Sequence, residues 1–379
     1  MNSRQRILTA LQHKRPDRVP LDLGGTQTGI TVTAYNSLKD YLGMKEENKI
    51  IDTMQQIVKP SEEILKRFRI DTRYIYPRPP SCWELKIRED DYGYTYVDEW
   101  GITLRMPKVE GYYYDMVEHP LKESSVKDLA YYPWPDPHDP GRVEGLEEEA
   151  ERLYENTDYA LVTGIAGSMF ELSWYLRGFE RFLTDLVVNQ DFAEALLDKL
   201  LEFWLGFFDR FLASVDEYIQ VVVVGDDLAM QEGPLISLDL YRKLIKPRQK
   251  ELFSFIKKRT PAYLFYHSCG SVSQFIPDLI EVGVDILNPV QVSAKNMDTY
   301  RLKKEFGHEI SFWGGGCDTQ KTLSFAKPQE IKREVKRRMR DLAPGGGFVF
   351  TQVHNIQPGV PPENIVAMLE AASEYGRYT

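Results

Sequence analysis

The sequence predicts an α/β fold, a (β/α)8 TIM barrel with a small β insertion in its N-terminal third. Short apolar runs alternate with stretches of helical period, a pattern that produces right-handed βαβ units and a parallel sheet. About eight such runs occur, the first starting at Val19, which suits a closed barrel. Asp226, His267, Cys269, Cys317 and His354 all fall just past the end of a run, on the face where barrels build their sites. An open doubly wound sheet would be favoured by a glycine-rich dinucleotide fingerprint after an early strand; none is present.

Residues 3–13 read as an amphipathic helix with Ile7, Leu8 and Leu11 on one side. Val19–Leu23 is a short strand ending in Gly24-Gly25. Residues 35–42 and 51–68 read as helices, and 71–76 as a strand. Between 79 and 120, alternating runs such as Tyr92–Tyr96 and Ile102–Met106, separated by Asp98-Glu99-Trp100-Gly101, predict hairpin strands. The stretch 79–140 is read as this β-rich insertion plus a proline-rich connector, within one barrel domain spanning 1–379. The alternation then becomes regular, with strands at 160–165, 218–224, 263–266, 285–287, 310–313 and 348–351. The first of these ends in the turn Gly164–Ser168. Helices are predicted at 144–154, 171–188, 191–215, 241–258, 272–281, 297–306, 328–342 and 362–375.

Composition narrows the function. Lys plus Arg number 47 against 57 Asp plus Glu, a net charge of −10, without the basic footprint of a nucleic-acid binder. Nothing approaches the ~18 consecutive apolar residues of a membrane span. The first residues lack a signal-peptide apolar core, and three cysteines in 379 residues form no disulfide framework. The expectation is a cytoplasmic, reducing home with no nucleic-acid or membrane partner.

The chemistry concentrates in A-Y-L-F-Y-H-S-C-G-S-V from Ala262 and W-G-G-G-C-D-T from Trp313. Thiolate and imidazole together suit a borderline-soft cation such as zinc. His267, Cys269 and Cys317 are the candidate ligands. Three ligands without an obvious fourth leave a position open, as catalytic zinc requires and a closed structural zinc site does not. Gly314-Gly315-Gly316 is read as letting Cys317 turn inward. Asp226 and His354, at strand ends, are candidate catalytic groups. Asp227, Gln231, Tyr266 and Trp313 are candidate substrate contacts. Cys82, beside Trp83, is expected to be buried and inert.

These residues resemble the uroporphyrinogen decarboxylase superfamily, and within it the zinc-dependent corrinoid (methylcobamide) methyltransferase branch. The resemblance runs over nearly the whole chain. It rests on R-I-L-T-A-L-Q-H-K-R-P-D-R-V-P near the start, G-D-D-L-A-M-Q-E-G-P-L-I-S at 225–237 and Y-R-K-L-I-K-P-R at 241–248. H-S-C-G at 267–270, G-G-G-C-D at 314–318 and P-P-E-N at 361–364 complete it. It implies zinc on His267, Cys269 and Cys317. It also implies methyl transfer between a small substrate and the cobalt of a corrinoid (cobalamin) held by a partner protein, and it allows a homodimer. Two directions stay open: O-demethylation of a methoxylated aromatic or other methyl donor, which is favoured, and methylation of a thiol from methylcobamide. A metal-independent decarboxylase is a further alternative. The decarboxylase branch carries R-Q-A-G-R after its first strand, whereas Leu21–Gln27 here holds no arginine. A polycarboxylate substrate needs such cations.

Overall fold

The computed structural model describes residues 1–165 and 168–378. Its centre is a seven-stranded parallel sheet: β1 (Thr72–Ile75), β2 (Ala160–Gly164), β3 (Val221–Gly225), β4 (Tyr263–His267), β5 (Ile286–Asn288), β6 (Ser311–Trp313) and β7 (Phe348–Val349). Each strand pairs with the next in sequence, as short βαβ crossovers require. The segment at Pro20–Asp22 joins the two edges. Leu21 bridges Phe350 in parallel, the Phe350 amide donates to the Pro20 carbonyl at 2.9 Å, and the Asp71 amide donates to the Leu21 carbonyl at 2.8 Å. The sheet therefore curls into the predicted barrel, with this segment as its eighth stave.

Strand parity sorts the side chains. Val221, Val223, Phe265, Ile286, Trp313 and Val349 pack together inside the barrel, whereas Val222, Val224, Leu264, Tyr266, Leu287 and Phe312 face the surrounding helices. Successive side chains on a strand point to opposite faces. In β3 and β4, with Val221 opposite Tyr263 and Gly225 opposite His267, position 267 is therefore inward and 266 outward.

Ile7 and Leu11 of the helix Ser3–Leu11 join the interior cluster and plug the barrel. Buried Asp71, just ahead of β1, ties that plug down. It accepts from Arg6 at 2.6 Å, Arg18 at 2.7 Å, Ser3 Oγ at 2.7 Å and the Leu21 amide at 2.9 Å.

The hairpin strands appear as a four-stranded antiparallel sheet comprising Arg88–Glu89, Gly93–Val97, Thr103–Pro107 and Asp115–Glu118. Its turn is built as the sequence suggests, with Asp98 accepting from the amides of Trp100 and Ile102. Trp100 packs edge-on against Phe203 of the helix Gln190–Val215, centroids 4.6 Å apart, which anchors the insertion.

Two expectations fail here. Residues 51–68 are not one helix but the strands Ile50–Asp52 and Ile57–Val58 followed by the helix Glu62–Arg67. The spacing of Ile51, Met54, Ile57 and Val58 imitates a helical face, but the Asp52 side chain accepts the Gln55 amide at 2.9 Å and makes a turn instead. Cys82 is exposed, not buried. Of the predicted turn Gly164–Ser168, Ala166 and Gly167 lie outside the described residues. No helix among the described residues is long and apolar enough to cross a membrane.

Asp71→Asn is expected to destabilise the chain by about 3–5 kcal/mol, because it strips the buried charge shared by buried Arg6 and partly buried Arg18. Urea unfolding measures this, and an unchanged midpoint contradicts the clamp.

Candidate metal centre at the barrel mouth

Strand β4 ends on His267, whose ring is almost fully buried at the top of the barrel interior. Its Nδ1 lies 2.6 Å from Asn288 Oδ1, and Asn288 Nδ2 donates to the Trp313 carbonyl at 2.8 Å. That second bond orients the amide, so Oδ1 faces the ring and the proton must sit on Nδ1. Nε2 is left with its lone pair toward the cavity, the arrangement an outer-shell acceptor imposes on a metal-binding imidazole. Burial holds the His267 pKa down at about 4, so the ring is neutral at pH 7.

Three residues on, the chain turns through Gly270 at φ +90°, where a Cβ would sit 2.5 Å from the Ala229 carbonyl oxygen. Only glycine fits so close a passage, and the turn brings Cys269 Sγ to 3.6 Å from His267 Nε2. The Cys269 amide donates to Asp227 Oδ1 at 2.7 Å, and the Gly270 amide to Gln291 Oε1 at 2.7 Å. Burial, then the carboxylates of Asp227 and Glu171, push the free thiol well above its usual pKa; a bound cation would reverse this.

The third member is His354. Its ring centroid is 5.4 Å from that of His267, and donor atoms of His267, Cys269 and His354 all lie within 4.8 Å of one another. Burial, then the neighbouring His267, hold its pKa at about 4. Two neutral imidazoles and one thiol suit zinc chemically.

Cys317 does not join them, which corrects the predicted ligand set. Its thiol is buried 3.9 Å from Glu334 Oε2, on the helix Pro328–Leu342 outside the barrel. The glycines do not turn it inward. A Cβ on Gly316 would lie 2.2 Å from the Phe350 ring, so the backbone runs flush against the next strand. There the Cys317 carbonyl accepts the Val353 amide at 3.0 Å and fixes the approach to His354.

Parity relocates three further predicted residues. Asp226 is outward and has no exposure. Its Oδ1 accepts the Glu171 amide at 2.9 Å, capping the helix Phe170–Arg177, while Oδ2 has no hydrogen-bond partner among the described residues. Burial raises its pKa to about 7. Tyr266 is also outward, its hydroxyl bonded to Gln249 and the Asp226 carbonyl. Trp313 is inward but deep, donating to buried Asp22 at 2.8 Å. None of the three lines the cavity. Asp227 does. Gln231 stands behind it, accepting from the cavity residue Gln291 at 2.9 Å.

The cavity measures about 790 Å³. Its floor is His267, Cys269 and His354, and Tyr96, Ile102, Leu104 and Met116 of the insertion form one wall. Asp52, Asp98, Glu171 and Asp227 contribute carboxyl groups, and no Lys or Arg is among the described lining residues. Glu171, Tyr175, Asn288 and Gln291 were not singled out in the sequence. For Asn288 a signal existed, since strand parity makes position 288 the inward neighbour of 267.

The molecule is thus a (β/α)8 barrel with an imidazole–thiol–imidazole cluster at the C-terminal end of its strands. The chain belongs to the uroporphyrinogen decarboxylase (URO-D) family, whose pattern residues 94–375 match. It is 24% identical over 376 residues to a uroporphyrinogen decarboxylase of Alkalilimnicola ehrlichii, covering 97% of this chain and 93% of that one. It is 26% identical over 276 residues to that of Pseudomonas fluorescens, covering 70% and 74%. Among solved structures, a methyltransferase from Methanosarcina mazei superposes with a TM-score of 0.65 at 20% identity, covering 99% of both chains.

The buried Asp226 carboxyl yields a pH test. Its folded pKa of about 7 lies above the ordinary unfolded value of about 3.9. Between those values the folded chain holds a proton that the unfolded chain has lost, so stability falls as pH rises. Asp226→Asn retains the cap and removes the titration. From pH 5 to pH 8 the variant should gain on the order of 2–3 kcal/mol relative to the parent in urea unfolding. A difference constant with pH contradicts the assignment.

Proposed function

We propose that this chain is a zinc-dependent methyltransferase that moves a methyl group between a small substrate and the cobalt of a corrinoid carried by a partner protein, in the O-demethylating direction. The reading is carried by the convergence of His267, Cys269 and His354 on the floor of a cavity closed on one side by the insertion. A zinc ion held by these three residues would supply Lewis acidity to an oxygen or sulfur ligand in the open position. The residues of the chain prepare that task. Asn288 keeps His267 Nε2 free of its proton, and Asp227 fixes the Cys269 backbone.

The walls favour an aryl methyl ether as donor. Tyr76, Tyr96 and Tyr175 line the cavity with Met54, Ile102 and Leu104, an apolar and aromatic enclosure fit for a ring. A thiol acceptor remains the second direction, since the same donor set would lower a thiol's pKa.

The names of the curated relatives favour decarboxylation instead. Against it stands the cavity's composition: four carboxyl groups and no Lys or Arg among its described lining residues, where a polycarboxylate would need cations. Decarboxylation without metal predicts activity that survives chelation.

Metal analysis of protein purified under reducing conditions tests the reading. About one zinc per chain is expected, lost in Cys269→Ser and retained in Cys317→Ser. Wild-type protein that takes up no zinc on reconstitution would sink the methyltransferase assignment. Loss in Cys317→Ser as well as in Cys269→Ser would restore the ligand set the resemblance implied.

A further inference from the structure

The mouth of the cavity carries a row of side-chain amides whose sense is fixed from one end. The row starts at Gly270, next to Cys269. A backbone N–H can only donate, so the Gly270 amide, 2.7 Å from Gln291, must meet that side chain's oxygen. The Gln291 nitrogen then points away and donates to Gln231 Oε1 at 2.9 Å. Gln231 Nε2 donates in turn to Gln320 Oε1. Each amide accepts from the one before it and donates to the next, so one backbone N–H sets the direction of all three.

The three residues stand on different strand ends: Gln231 follows β3, Gln291 follows β5 and Gln320 follows β6. Backbone bonds hold two of them in place. The Gln231 carbonyl accepts the Lys295 amide at 2.9 Å, and the Gln320 amide donates to Asp318 Oδ1 at 2.9 Å. Gln291 is buried and Gln320 is exposed at the rim, and both line the cavity. The row ends on Gln320 Nε2, which meets no acceptor among the described residues. A ligand at the rim is therefore offered N–H donors and not the amide oxygen.

We propose that Gln320 is a specificity-determining residue, selecting substrates whose ring carries an uncharged acceptor of the carbonyl class away from the methoxy group. The proposal rests on the methyl-ether reading above, in which the methoxy oxygen sits at the floor of His267, Cys269 and His354. A cavity of about 790 Å³ is of the size that encloses drug-sized ligands, with room for a substituted ring between floor and rim. Charge disfavours other acceptors. Asp52, Asp98, Glu171 and Asp227 line the cavity with no Lys or Arg among its described lining residues, so a carboxylate or phosphate enters against like charge. An ammonium offers only donors and meets donors at Gln320. A ketone, aldehyde or amide carbonyl meets neither obstacle. Gln231, expected from the sequence to touch substrate, is instead a positioning residue, holding the Gln320 oxygen so that its nitrogen faces the ligand.

Calorimetric titration of the whole protein tests this, with no corrinoid protein present so that no methyl group leaves. Three ligands are compared: 4-methoxyacetophenone, 4-ethylanisole of nearly the same shape, and 4-methoxyaniline, whose amine donates. Gln320→Leu should weaken the ketone roughly 3–10-fold relative to wild type and leave 4-ethylanisole as tight or tighter. Gln231→Glu gives the sharper result. A carboxylate there still accepts from Gln291 but cannot donate, so the Gln320 amide turns over and presents its oxygen. The ketone should then weaken while the amine tightens. A row that merely ties the loops together predicts that each variant changes all three ligands alike; that result overturns the proposal and leaves the methyl-ether reading intact. Wild type that binds none of the three overturns both.

Discussion

Every second side chain of a barrel strand goes inside, and this alternation decides which of the chemically interesting residues can act. Along β3 and β4 the inward positions are 221, 223 and 225, then 263, 265 and 267. Extending that count outward by one residue sends Asp226 to the helices, and moving back by one sends Tyr266 there too. His267 and Asn288, paired across β4 and β5, form the uppermost inward layer. The metal-capable cluster stands on that layer, and Trp313 with its Asp22 partner lies beneath it as a filled interior. The cavity is therefore only as deep as the parity permits.

On this scaffold a single amide does much of the electronic work. Asn288 is held by the Trp313 carbonyl on one side and meets His267 on the other, so the imidazole has only one tautomer available to it. A neutral ring with a free Nε2 needs no proton removed before it can bind a cation, which matters because metal affinity otherwise competes with protonation. The glycine-rich segment after β6 contributes from further away. Its backbone lies against Phe350 and holds Val353, and through Val353 it sets the position of His354.

Much of this was legible before any coordinates. Alternating β-branched runs and helical stretches announce the barrel, because a parallel sheet needs covering on both faces. Asp98-Glu99-Trp100-Gly101 announces its hairpin through turn chemistry. His267 and Cys269 were legible as a pair from two-residue spacing. What could not be read was direction beyond the strand. After β6 the chain continues irregularly through three glycines, parity is lost, and His354 stands where Cys317 was expected beside His267 and Cys269, while Cys317 lies outside the barrel against Glu334. Glu171 was hidden for a different reason: an acid in the first turn of a helix is ordinarily a solvated dipole partner, and only tertiary packing against Asp226 and Asp227 makes it anything else. The region at 51–68 misled because its apolar spacing satisfies a helix while one Asx turn at Asp52 rules it out.

The barrel thus brings together a soft-donor cluster, an acidic lining and an aromatic wall, a combination suited to activating an uncharged substrate oxygen rather than to holding a polyanion. The claim at its centre is the identity of the three donors. X-ray absorption at the zinc edge of the reconstituted protein reads that directly. The structure predicts a first shell with one sulfur and two imidazole nitrogens, from Cys269, His267 and His354. A shell with two sulfurs and one imidazole would bring Cys317 back to the metal and contradict this arrangement of the mouth.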